Sequence, residues 1–131
     1  MRTDTPSILV VDDDEMLLEF YEAVLAPEYE VLTAAGLGAA LHILQARHVD
    51  AVACDLHLGD ISGLELLRWI SGNRPGLLAR TAVISGEPES KPCGFDVVVV
   101  GKPIMAEELR QVFGQLLAKN DAGEAPNGFT A

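Results

Sequence analysis

Five short runs of apolar, largely β-branched residues recur along this chain: "SILVV" (7–11), "YEVLTA" (29–34), "DAVAC" (50–54), "TAVIS" (81–85) and "DVVVV" (96–100). Runs this short and this continuously apolar read as strands buried on both faces, as in a parallel sheet. The segments between them have helical spacing. Met16, Phe20 and Val24 recur at four-residue steps with Leu17 and Tyr21 beside them, and Leu37, Ala40, Leu41 and Leu44 form a second stripe. A third helix is expected over 63–71, with Leu64, Leu67 and Ile70 on one side. A last one is expected over 104–119, carrying Leu109, Val112, Phe113 and Leu116. Strand alternating with helix implies right-handed crossovers, so the chain is α/β: a doubly wound, five-stranded parallel sheet covered on both faces.

One crossover departs from that pattern. Only "GEPESKPCG" separates Ser85 from Phe95, and it contains Pro88 and Pro92. An average helix alone takes about 11 residues, and a proline inside it breaks the hydrogen-bond ladder. The fourth helix is therefore expected to be short or missing. Residues 1–6 read as an N-terminal extension, 7–119 as one domain, and 120–131 ("NDAGEAPNGFTA") as a flexible tail or linker stub. The early start of the first strand suits a stand-alone or N-terminal domain.

Charge narrows the partners. At a net charge of −11 the chain repels phosphate backbones and anionic membranes, so neither nucleic acid nor a membrane is expected as a direct partner. A cation or a basic protein surface suits it better. No apolar run reaches membrane-spanning length and the N-terminus lacks a signal-peptide pattern, which makes a cytoplasmic location the expectation. Cys54 and Cys93 have no metal or redox spacing and read as reduced, structural thiols. His42 and His48 read as helix-face residues and Trp69 as packing.

In sheets of this kind, ligands bind outside the carboxyl ends of the strands. Strand one ends in Asp12-Asp13-Asp14, strand three in Asp55, strand four in Ser85-Gly86 and strand five in Gly101-Lys102-Pro103. Acids on adjacent strand ends offer the hard oxygens that Mg²⁺ or Ca²⁺ prefers. Two carboxylates ~4 Å apart repel by ~4 kcal/mol at the effective dielectric of a protein surface. Gathering three of them calls for a cation and for the Lys102 ammonium. Asp14 reads as the N-cap of the first helix, with Glu15 favourable to its dipole.

The motifs "ILVVDDDE", "DLHLGDISGLELL", "VISG" and "GKP", in that order across 7–119, resemble the receiver domain of two-component response regulators. The resemblance implies a flavodoxin-like strand order, 2-1-3-4-5, and a phosphoacceptor role for Asp55. It implies that Asp12, Asp13, Asp55 and the backbone carbonyl of His57 hold Mg²⁺ or Mn²⁺. Ser85 and Lys102 would contact the phosphoryl oxygens, with Leu56 and Gly86 beside them, and a cis peptide before Pro103 would aim the lysine. His57 and Glu87, each two residues beyond a site residue, would tune the phosphoryl lifetime. The donor would be a phosphohistidine on a sensor histidine kinase or histidine phosphotransfer protein, or a small acyl phosphate. The chain would then be a signalling phosphoacceptor with a downstream protein partner, and no enzyme beyond its own phosphorylation and dephosphorylation. It departs from the family at Val99, where typical members carry an aromatic switch, and at the shortened fourth crossover. The rival readings are a small phosphohydrolase of the haloacid dehalogenase type, using Asp12 and Asp14 as D-x-D, and a pseudo-receiver that only docks.

Overall fold

In chain order the elements are β1 (Ser7–Val11), α1 (Glu15–Leu25), β2 (Glu30–Ala34), α2 (Leu37–Ala46), β3 (Ala51–Asp55), β4 (His57–Leu58), β5 (Ile61–Ser62), α3 (Leu64–Asn73), α4 (Pro75–Leu78), β6 (Thr81–Ser85), β7 (Val98–Gly101) and α5 (Ala106–Leu117). The computed structural model describes residues 5–59, 61–86 and 94–118. Asp60, Glu87, Cys93, the tail and most of the short fourth crossover lie outside the described residues.

The main sheet runs β2-β1-β3-β6-β7, which is 2-1-3-4-5 when only its own five strands are counted. Every neighbouring pair in it is parallel. Alternation within each strand divides the core. Ile8, Val10, Ala53 and Ile84 pack on one face with Leu18, Tyr21 and Leu25 of α1 and Leu109, Phe113 and Leu116 of α5. Leu9, Val11, Val52 and Cys54 pack on the other with Ala40 and Leu44 of α2 and Leu66 and Ile70 of α3. β1, β3 and β6 are buried along their whole length, as strands with both faces covered must be.

Several expectations need correction. Helix α1 buries Leu18, Tyr21 and Leu25; of the Met16–Phe20–Val24 stripe only Val24 packs partly against the core, and Met16 is 80% exposed. Steps of four overshoot the 3.6-residue turn, whereas steps of three and four keep one face toward the sheet. His48 lies beyond the end of α2, where its ring meets Asp50 at 2.7 Å. Tyr29 precedes β2 and packs its ring against Phe113. Two short elements escaped the periodicity altogether: the antiparallel β4–β5 pair, and the single turn α4 with Pro75 at its start.

Among the described glycines, the one in the link from β3 into α3 is the most closely crowded. The Gly63 amide donates to the Leu56 carbonyl at 2.6 Å. A Cβ on Gly63 would fall 2.4 Å from the Asp55 carbonyl oxygen and 3.0 Å from Leu56 Cα, both backbone atoms that cannot step aside. Glycine is thus required by close approach, not by its dihedrals. We expect Gly63→Ala to lower the unfolding free energy by about 2–4 kcal/mol. Urea denaturation checks this, and a change under about 0.5 kcal/mol, the usual range for an unconstrained surface position, would contradict it.

Candidate functional site

The carboxyl ends of β1 and β3 bring three acids together. Carboxylate oxygens of Asp12, Asp13 and Asp55 lie within 4.8 Å of one another. Asp12 and Asp55 are buried, at 1% and 4% exposure, while Asp13 faces solvent. The β1–β3 register explains the juxtaposition: Val11 pairs with Cys54, so the next residue on each strand meets its counterpart at the sheet edge.

Each carboxylate is anchored by backbone. Asp12 Oδ1 accepts from the Asp14 amide at 2.9 Å, Asp13 Oδ2 from the Gly59 amide at 2.9 Å, and Asp55 Oδ1 from the His57 amide at 3.1 Å. Gly59 (φ +64°) opens the turn between β4 and β5, so that short pair aims two of the three donors. Asp14 caps α1 instead, its Oδ1 accepting from Met16 and Leu17 amides at 3.0 and 3.4 Å. Asp14 thus serves the helix end and is not one of the three clustered acids.

Lys102 closes the cluster from the end of β7, through a cis Lys102–Pro103 peptide. Its Nζ lies 3.0 Å from Asp55 Oδ2 and 3.4 Å from Asp12 Oδ2. Burial pulls the ammonium down, but its hydrogen bond to Asp55 and the charges of both acids outweigh that and raise it above the ordinary lysine value. Burial pushes the Asp12 carboxyl up; the Asp14 amide and Lys102 oppose this, and the Asp55 charge adds to it. Asp12 Oδ2 has no hydrogen-bond partner despite being buried. A buried carboxylate oxygen left this way, beside two more carboxylates, suits a divalent cation bound by oxygen ligands.

The remaining expected residues fall at the same edge with different engagements. Ser85 is buried at the end of β6, one residue past Ile84, the register partner of Asp55, and its carbonyl accepts from the Lys102 amide at 2.9 Å. Gly86 is exposed beside it. The Leu56 amide donates to the Ile84 carbonyl at 3.2 Å, so it would have to leave that bond to serve a phosphoryl oxygen. The His57 side chain is exposed. Val99 sits half-buried in β7 opposite Val83, with no aromatic at that position. Sequence reasoning missed the amides of His57 and Gly59, because backbone donors leave no residue-type signal.

The fold and this edge define a doubly wound α/β domain with an acidic, lysine-closed site at the carboxyl ends of its strands. A family model, the response regulator receiver domain, matches residues 8–114. The chain belongs to that family, and so to the proteins of two-component signalling. It is 28% identical over 107 residues to the polar-differentiation response regulator DivK of Brucella ovis, covering 76% of this chain and 86% of that one. Among solved structures, the signal receiver domain of an HD domain-containing protein from Pseudomonas fluorescens Pf-5 is 28% identical. Its TM-score is 0.77, with 86% of this chain and 94% of the other covered. The response regulator TrrA of Thermotoga maritima, solved in complex with Mg²⁺-BeF, is 26% identical with a TM-score of 0.77, over 86% of this chain and all of its own. Among the described residues no helix is long and apolar enough to cross a membrane.

Removing the ammonium exposes the cost of gathering the acids. We expect Lys102→Met to destabilise the metal-free protein by about 1–3 kcal/mol, below the cost of breaking a fully buried pair because Lys102 is part-exposed. Urea denaturation with and without Mg²⁺ measures it. The deficit should shrink when Mg²⁺ is added; an unchanged deficit would mean the cation does not share the lysine's role.

Proposed function

We propose that the chain is a phosphoacceptor whose Asp55 carboxylate receives a phosphoryl group from a phosphohistidine on a histidine kinase or phosphotransfer protein, or from a small acyl phosphate. The observation that carries this is the state of Asp55: buried, one oxygen held by the His57 amide and the other by Lys102, beside two further acids. A carboxylate fixed this way needs no general base, because it is already the nucleophile. Its oxygen attacks phosphorus in line, the bond from phosphorus to the donor breaks, and the donor leaves with the electron pair.

The work left to the protein is positioning and charge neutralisation. Mg²⁺ or Mn²⁺, held by Asp12, Asp13, Asp55 and the His57 carbonyl, would neutralise charge on the phosphoryl oxygens. Lys102 then moves from the carboxylate to those oxygens, and the Ser85 hydroxyl donates to them from β6. Gly86, without a side chain, leaves its backbone open to the same group. The exposed His57 side chain, two residues beyond Asp55, adjusts how readily water reaches the acyl phosphate, and Glu87, which lies outside the described residues, is assigned the same role from its place two residues beyond Ser85. The Mg²⁺-BeF complex of the similar TrrA supports this reading.

The engagement of Asp14 in the α1 cap weighs against the phosphohydrolase alternative. With Mg²⁺ and acetyl phosphate, the intact protein should gain the mass of one phosphoryl group, and Asp55→Asn should gain none. A gain that survives in Asp55→Asn, or none with any donor, contradicts the proposal.

A further inference from the structure

Tyr21 carries a buried hydroxyl that neither the core nor the proposed phosphoryl chemistry uses. It lies on the inner face of α1, at 1% exposure. Among the described residues, its hydroxyl and Asp12 Oδ2 are the two buried side-chain polar atoms that lack a hydrogen-bond partner. A buried hydroxyl left unmatched costs about 1–3 kcal/mol, and native proteins rarely leave one so. The two atoms belong together electrostatically. Of the acids that act on the phenol, Asp12 acts most strongly, ahead of Asp55 and Asp14. Burial first, and then those charges, raise the phenol above its ordinary value, so it remains a hydrogen-bond donor. A cavity of about 350 Å³ lined by Leu17, Tyr21, Lys102, Pro103 and Ile104 brings Tyr21 to the same space as Lys102, whose Nζ lies 3.4 Å from Asp12 Oδ2.

Asp12 needs such a donor at one moment in particular. Its Oδ1 is fixed by the Asp14 amide, and among the described residues Lys102 is the cation that reaches Oδ2, at 3.4 Å. When Lys102 turns to a phosphoryl group, that oxygen loses its counter-charge. We propose that Tyr21 is a positioning residue, its hydroxyl donating a hydrogen bond to Asp12 Oδ2 and so holding that carboxylate in place for the divalent cation. The assignment rests on the phosphoacceptor reading of the site. It also gives this chain an aromatic contact to the site from α1, where strand β7 offers only Val99.

Tyr21→Phe keeps the ring and removes one oxygen. Outer partners of metal ligands typically contribute 10–100-fold in affinity, so Mg²⁺ titrated calorimetrically onto the full-length variant should bind about 10-fold more weakly. Labelling by acetyl phosphate should show the same loss as a higher Mg²⁺ requirement, with the rate at saturating Mg²⁺ within about 2-fold of wild type. In an Asp12→Ala background the Tyr21→Phe effect should vanish, since the hydroxyl acts through that carboxylate. In the unmutated protein, a slowly exchanging Tyr21 hydroxyl proton should be visible by NMR in the presence of Mg²⁺. Equal Mg²⁺ affinity in Tyr21→Phe and wild type overturns this assignment alone, as does an effect that persists beside Asp12→Ala. No Mg²⁺ binding by the wild type overturns the phosphoacceptor reading along with it.

Discussion

The repulsion among three carboxylates at one sheet edge is the constraint around which the rest of this structure is arranged. At separations under 5 Å, each pair costs on the order of 3–4 kcal/mol at a surface-like dielectric. A flexible loop would relieve that by moving apart. Here the acids cannot, because Asp12 follows directly on β1 and Asp55 closes β3, and both strands are buried along their length and paired to each other. The apolar strands hold the charges in place, and backbone amides and Lys102 offset part of the repulsion.

That arrangement explains features that would otherwise look unrelated. The small β4–β5 pair aims the His57 and Gly59 amides at two of the acids. Gly63 lets α3 start against the Asp55 carbonyl with no side chain between them. Asp14 is turned away to cap α1, which keeps a fourth carboxylate out of the cluster. Lys102 is the single cation that reaches both buried acids among the described residues. A lysine poised between two carboxylates is also one that a phosphoryl group can attract, which ties the resting stability of the site to its proposed chemistry.

The sequence carried the sheet well because its strands are buried on both faces, a condition that leaves continuous apolar runs. The phase of α1 was harder to read. Met16, Phe20, Leu17, Leu18 and Tyr21 are all apolar or nearly so, and only packing against the sheet decides which of them turn inward. The strand ends were legible as a set, since Asp12, Asp13, Asp55, Ser85 and Lys102 occur in order at four carboxyl ends. The donors that fix them were not, because amides of His57 and Gly59 depend on a two-residue strand pairing too short for any periodicity. Tyr21 read as one more core residue, and nothing local marked its hydroxyl as a buried polar atom without a partner.

The most direct measurement is the unfolding free energy of wild type and Asp13→Asn, each with and without Mg²⁺. Asp13 is exposed, and asparagine can still accept from the Gly59 amide, so the substitution removes charge while keeping that contact. If gathered charge is the constraint and a cation its natural relief, Asp13→Asn will be at least as stable as wild type without Mg²⁺. Mg²⁺ will then stabilise the wild type, as binding to the native state must, and the variant much less. A variant that is less stable without Mg²⁺, and that gains as much from Mg²⁺ as wild type does, would contradict the account.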